Sequence, residues 1–146
     1  MTNGFRIAIG TDPGEVARVN AAFAKFADAH ALPAPVRRSL HVALDELLTN
    51  TLGHGFAGGR GAVTVEVELR PDVVYVTVTD DGKPFDPFGL AAPVPDTALP
   101  LAERPVGGLG LHLVREMMDE VSYRRRGDRN VVTLAKRFAA EGGGGQ

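Results

Sequence analysis

The sequence predicts an α+β protein, a two-layer α/β sandwich in which three helices cover a mixed, mainly antiparallel sheet. Three observations carry that expectation. Two pairs of strand-like segments flank the short turns Pro71-Asp72 and Gly127-Asp128, as in β-hairpins. Three other segments repeat apolar residues at helical spacing. The resulting order, β-α-α-β-β-loop-α-β-β, holds a single β–loop–α–β crossover, which does not make a doubly wound parallel sheet.

Each element has a local reason. Phe5-Arg6-Ile7-Ala8-Ile9 alternates and predicts a first strand. Thr11 or Asp12 can cap the helix that follows, with Pro13 in its first turn and Glu15 near its positive end. Val16, Val19, Ala22, Phe23, Phe26 and Ala27 give that helix one apolar face, and Leu32-Pro33-Ala34-Pro35 breaks it. A second helix is predicted from about Pro35 to Leu52, with Val36, Leu40, Ala43, Leu44, Leu47, Leu48 and Thr51 as its buried stripe. Gly53-His54-Gly55-Phe56 ends it. Ala62–Leu69 and Val73–Thr79 form the first hairpin, rich in β-branched residues. The five prolines between Asp86 and Val106, with no sustained apolar period, predict a long loop of a length that is usually functional. Gly107-Gly108-Leu109-Gly110 opens a third helix carrying Leu111, Val114, Met117 and Met118. Val121–Arg126 and Asn130–Phe138 close the chain as a second hairpin.

The composition bounds the function. At 146 residues the chain suits one domain with a real core, expected over 1–140 and followed by a flexible Gly-rich tail at 141–146. A net charge of −2 supplies no field that favours nucleic acid or an anionic membrane. Arg124-Arg125-Arg126 reads as a solvated strand edge, since no aromatic interleaving accompanies it. The absence of cysteine removes disulfides, thiolate nucleophiles and Cys-based zinc sites, and it suits a reducing cytosol. No apolar run reaches membrane-spanning length, and residues 1–10 lack a signal-peptide core. The expected location is the cytoplasm.

Three polar or glycine clusters fall at ends or borders of these elements. Glu46 and Asn50 are four apart on the second helix, so they share a face beside the buried stripe. A carboxylate there can take a proton, and an amide oxygen can ligate a hard cation. Asp80-Asp81-Gly82 follows a strand. Gly108-Leu109-Gly110 starts a helix, where free N–H groups and the helix dipole can hold phosphate. Taken singly, each also fits a solvated helix face, a plain turn or a tight helix entry. The glycines fit neither a P-loop, since no Gly-Lys-Ser/Thr follows, nor a dinucleotide fingerprint, since a loop precedes them.

Taken in order, the clusters resemble the GHKL ATPase superfamily, whose nucleotide-binding domain is the Bergerat fold. Glu46-Leu-Leu-Thr-Asn50 looks like its N box, Asp80-Asp-Gly82 its G1 box, and Gly108-Leu-Gly110 its G2 box. The stretch 86–106 would be the ATP lid. Within the superfamily the chain is most similar to bacterial anti-sigma factor serine/threonine kinases. The run from His41 to Phe56, Arg104 ahead of the G2 glycines, Met118-Asp-Glu-Val121 and Val132-Thr133-Leu134 carry that likeness. The chain departs at Pro84, where the wider superfamily favours a second glycine.

The resemblance implies a role for each matched residue. Glu46 would be the general base, and Asn50 would bind nucleotide and ligate Mg2+. Asp80 would accept from the adenine amine, supported by Thr133, and Gly82 would let the backbone approach the base. Gly108, Leu109 and Gly110 would face the phosphates of ATP. Arg104 would reach the γ-phosphate as a catalytic group, and His54 would contact the phosphate region or serve the helix end. The implied function is phosphorylation of an anti-anti-sigma partner and sequestration of a sigma factor, by a homodimer that touches neither nucleic acid nor membrane. Two alternatives stay open: an ATP-binding interaction module without phosphotransfer, and a stand-alone histidine-kinase-type ATPase domain. For the last, the chain offers no room for a dimerising helical hairpin.

Overall fold

The computed structural model describes residues 3–54, 61–89 and 108–139, with the backbone alone at 54 and 108–110. The elements are β1 (Gly4–Ile9), α1 (Glu15–Ala29), α2 (Ala34–His54), β2 (Val63–Arg70), β3 (Val73–Asp80), α3 (Gly108–Met117), β4 (Glu120–Arg126) and β5 (Arg129–Arg137). The sheet order is β1-β2-β3-β5-β4, and every pairing is antiparallel. The crossover carrying α3 joins β3 to β4, which run the same way but are kept apart by β5. The sheet is thus wholly antiparallel among the described residues.

Strand alternation sorts the side chains onto two faces. Val63, Val65 and Val67 of β2, Val74, Val76 and Val78 of β3, and Val132 and Leu134 of β5 share one core with Phe23 of α1 and Leu40, Leu44, Leu47 and Leu48 of α2. The expected stripe of α2, from Val36 to Thr51, is buried at every position. Each such leucine contributes about 1.5–3 kcal/mol of burial, so the stripe fixes which way α2 is turned.

The ends of α1 differ from the simplest expectation. Asp12, not Thr11, organises the entry: its Oδ1 accepts from the Gly14 N–H at 3.0 Å, and its carbonyl from the Glu15 N–H at 2.9 Å. Gly14 itself occupies the N-cap and offers no side-chain cap. Glu15 instead reaches back. Its Oε1 accepts from the Gly10 N–H and from Arg18, and these bonds hold its carboxyl below the ordinary value.

At the C-terminal end the Leu32 N–H bonds the Ala27 carbonyl and the Ala31 N–H the Asp28 carbonyl, a Schellman motif with buried Leu32 as its apolar contact. Ala31 sits there at φ 51°, where glycine is favoured. Ala31→Gly is expected to raise unfolding stability by about 0.5–1 kcal/mol, read as a higher denaturant midpoint at unchanged slope. A fall in midpoint would contradict the strain assigned to Ala31.

Past β3 the chain turns at once. The Phe88 N–H bonds Asp86 Oδ1 at 3.1 Å, and the Phe88 ring is buried in the core. The predicted long loop is described as far as Gly89. Its remainder, with Arg104, and the Gly-rich tail lie outside the described residues.

Candidate functional site

Helix α2 positions the first two residues. Its leucine stripe packs against the sheet, which leaves Glu46 half-buried at the border and Asn50 buried one turn on. Asn50 Oδ1 is sealed from solvent and has no hydrogen-bond partner among the described residues, a state it shares with Asn20 Oδ1 on α1. An orphaned buried acceptor is costly and rare, so its presence beside a carboxylate needs a reason. A hard cation supplies one. Mg2+ takes one or two protein oxygens and completes its shell with water and substrate phosphates. The Asn50 amide oxygen is a donor of the type that habit uses, a single hard protein oxygen.

The sheet positions the second group. Asp80 ends β3 on the face that carries Val74, Val76 and Val78, and it is 6% exposed. Its Oδ1 accepts from the Gly82 N–H at 2.9 Å, which folds Asp80-Asp81-Gly82 into a tight turn. Asp81 points elsewhere, accepting from the Ala62 N–H at 2.9 Å and tying the turn to the start of β2.

A residue that the sequence reading passes over completes this group. Asn130, paired with Asp80 in the β3–β5 register, is 2% exposed. Its Nδ2 donates to Asp80 Oδ1 at 2.9 Å and to the Lys83 carbonyl at 2.8 Å. Its Oδ1 accepts from the Phe85 N–H at 3.2 Å and the Tyr123 hydroxyl at 2.7 Å. Arg125 Nη1 donates to the Gly82 carbonyl at 2.8 Å. Arg125 is therefore no part of a solvated basic edge, in contrast to exposed Arg124 and Arg126.

Thr133 requires a correction. It pairs with Thr77, three residues along β5 from Asn130, so the period of two turns it to the opposite sheet face. There it lines a recess with Tyr75 and Thr77, away from Asp80. The strand residue that supports Asp80 is Asn130.

Gly108, Leu109 and Gly110 form the first turn of α3, whose early N–H groups have no intrahelical partner. Helix α3 packs on α2, the helix that bears Glu46 and Asn50. His54 is the last residue of α2, and its side chain lies outside the described set. The structure thus places Glu46 and Asn50 on one helix, joins Asp80 to Gly82 by a hydrogen bond, and brings the helix of the G2 glycines against α2.

The chain matches the family described as the histidine kinase-like ATPase domain over residues 9–136. It is 34% identical over 110 residues to the serine/threonine-protein kinase BtrW of Bordetella bronchiseptica, covering 74% of this chain and 75% of that protein. It is 31% identical over 101 residues to the serine-protein kinase RsbW of Halalkalibacterium halodurans, covering 68% of this chain and 60% of that protein. An anti-sigma F factor of Bacillus licheniformis is 30% identical over 84 residues, 57% of this chain and 56% of its own. The chain therefore spans between about half and three quarters of these relatives. Among solved structures, the histidine kinase domain of a blue-light activated histidine kinase from Erythrobacter litoralis superposes with a TM-score of 0.56 at 18% identity, over 86% of this chain and 60% of that one. That likeness is one of fold. From the end of β1 to the end of β5, the chain belongs to the histidine kinase-like ATPase domain family.

Proposed function

We propose that residues 1–140 form one ATP-binding unit that acts as a protein serine/threonine kinase and anti-sigma factor. It phosphorylates an anti-anti-sigma partner and holds a sigma factor inactive, as a cytoplasmic homodimer. The observation that carries the reading is the Glu46–Asn50 pair, a half-buried carboxylate one turn from a buried, unpartnered amide oxygen. The names of the relatives, serine-protein kinases and an anti-sigma F factor, support the same reading.

Each residue then has a task. A Ser or Thr hydroxyl of the partner attacks the γ-phosphorus of ATP. The bond to the β-phosphate oxygen breaks, ADP leaves, and the hydroxyl proton passes to the Glu46 carboxylate. Mg2+ supplies neutralisation of phosphate charge, and Asn50 Oδ1 is the protein oxygen that would hold it. Asp80 accepts from the adenine amine, and Gly82 keeps the backbone close to the base. The N–H groups of Gly108, Leu109 and Gly110 meet the phosphates at the start of α3. Arg104 stabilises charge on the transferred group, and His54 borders the phosphates. Among the described residues no helix is long and apolar enough to cross a membrane.

The hydrogen bonds that hold Asp80 in place come from Gly82 and Asn130, so nucleotide binding does not require a working base at Glu46, and a binding module without transfer is the competing reading. One experiment separates the two. The chain is incubated with γ-labelled Mg·ATP and the anti-anti-sigma protein from the same genome. Label on a Ser or Thr of the partner is the expected result. Bound ATP with no label transferred would overturn the kinase reading and leave the module.

A further inference from the structure

We propose that Asn130 is a positioning residue that sets purine recognition, by pinning Asp80 Oδ1 so that only Oδ2 remains to meet the base. This rests on the nucleotide-site reading above. The carboxamide of Asn130 has two protons and two lone-pair directions. All four are used: the protons go to Asp80 Oδ1 and the Lys83 carbonyl, and the oxygen accepts from the Phe85 N–H and the Tyr123 hydroxyl. The amide orientation follows from its partners. The Lys83 carbonyl can only accept and the Phe85 N–H can only donate, so a flipped amide would oppose like groups at both ends. With no capacity left over, Asn130 acts on a ligand through Asp80.

The effect on Asp80 is specific. Its Oδ1 already takes the Gly82 N–H and Asn130 Nδ2. Among the described residues no donor reaches Oδ2, which leaves it as an acceptor held in one orientation. A carboxylate oxygen so placed favours a 6-amino purine and opposes a 6-oxo purine, whose carbonyl would face it lone pair to lone pair. The same latch shapes the loop beneath the base. Lys83, Phe85 and Gly82 are each held by a side chain from the β4–β5 hairpin, through Asn130 or Arg125. Tyr123, opposite Val132 on the neighbouring strand, braces Asn130 from its far side.

The test compares binding of ATP and of inosine triphosphate, which carries a carbonyl in place of the 6-amino group. Wild-type protein, Asn130→Ala and Tyr123→Phe are measured in the full chain. Wild type is expected to prefer ATP by about 100-fold, the upper worth of one hydrogen bond to a charged group. Asn130→Ala is expected to lose at least ~10-fold of that preference, chiefly through weaker ATP binding, since Asp80 is then free to turn. Tyr123→Phe leaves Asn130 in place but unbraced, and it should lose roughly 3-fold, an amount matching one weak hydrogen bond. It also keeps the question open to measurement should Asn130→Ala fold poorly. A parallel loss of both nucleotides at constant preference, in either variant, would reduce Asn130 to a structural residue and overturn the proposal. Equal binding of the two nucleotides by wild type would overturn it too. Failure of wild type to bind ATP at all would instead overturn the nucleotide-site reading, and the inference with it.

Discussion

Glu46→Gln is expected to cut the rate of phosphate transfer to the partner by about 10²–10⁴-fold, the usual worth of a positioned general base, while ATP affinity stays within about 3-fold of wild type. Glutamine keeps the length and the helix propensity of glutamate, so α2 and its buried stripe should be untouched. What it loses is the ability to take a proton from the attacking hydroxyl. Among the described residues no neighbouring carboxylate stands ready to replace it. Asp45, next in the chain, is turned toward α1, where Asn20 Nδ2 donates to it at 3.4 Å. Asp80 is buried at the far end of β3 with one oxygen already doubly bonded. Initial rates of label transfer at saturating ATP, set beside direct nucleotide binding, make the measurement. A rate within 3-fold of wild type would remove Glu46 as the base and favour a mechanism in which positioning alone drives transfer.

The fold was legible where periodicity and burial coincide. Val63, Val65 and Val67 alternate with Thr64, Glu66 and Glu68, and a strand half-covered by helices requires that pattern. The stripe of α2 is equally plain, because its leucines and valine recur at helical spacing from Val36 to Leu48, over roughly three and a half turns. That stripe also marks the Glu46–Asn50 pair, polar residues one turn apart along its border. Legibility fails where the answer depends on a partner strand. Thr133 and Asn130 both lie in a β-branched run, and only the count from the buried Val132 and Leu134 decides which of them faces the helices. That count favours Asn130, a polar residue where the period of two demands a buried one. Arg125 was hidden for a related reason. In a run of three arginines the middle one alternates to the helix-facing side and meets the Gly82 carbonyl, a contact set by loop geometry that local pattern does not encode. At the start of α1, Thr11 and Asp12 are equivalent caps by residue type, but the Pro13-Gly14 turn puts Gly14 at the N-cap and leaves Asp12 to bond the Gly14 N–H.

Asn50→Leu is expected to move stability and activity in opposite directions. Among the described residues the buried Oδ1 of Asn50 has no hydrogen-bond partner, and an unpaired buried acceptor costs about 1–3 kcal/mol. Leucine keeps the count and branching of the side-chain heavy atoms, is bulkier at its two methyl groups and asks for no hydrogen bond, and the residues to either side, Leu47, Leu48 and Thr51, are already buried. Unfolding stability should therefore rise, by about 1 kcal/mol after some loss to imperfect packing. Phosphate transfer should fall by roughly 100-fold or more, because the protein oxygen proposed to hold Mg2+ is gone and the stabilisation a metal provides is several kcal/mol. A stable but inactive variant cannot be explained by misfolding, which makes the two signs together more informative than either alone. Asn50→Asp supplies the control. It restores an oxygen ligand and adds a charge that is unfavourable to bury alone, so it should be less stable than wild type in chelator and regain stability when Mg2+ is added with ATP. Thermal and denaturant unfolding with and without Mg·ATP reads all three proteins without relying on turnover. If Asn50→Leu is destabilising, Asn50 Oδ1 has a partner in solution and the case for it as a metal ligand loses its physical basis. If it is stabilising and transfer still proceeds, the orphaned oxygen serves something other than Mg2+.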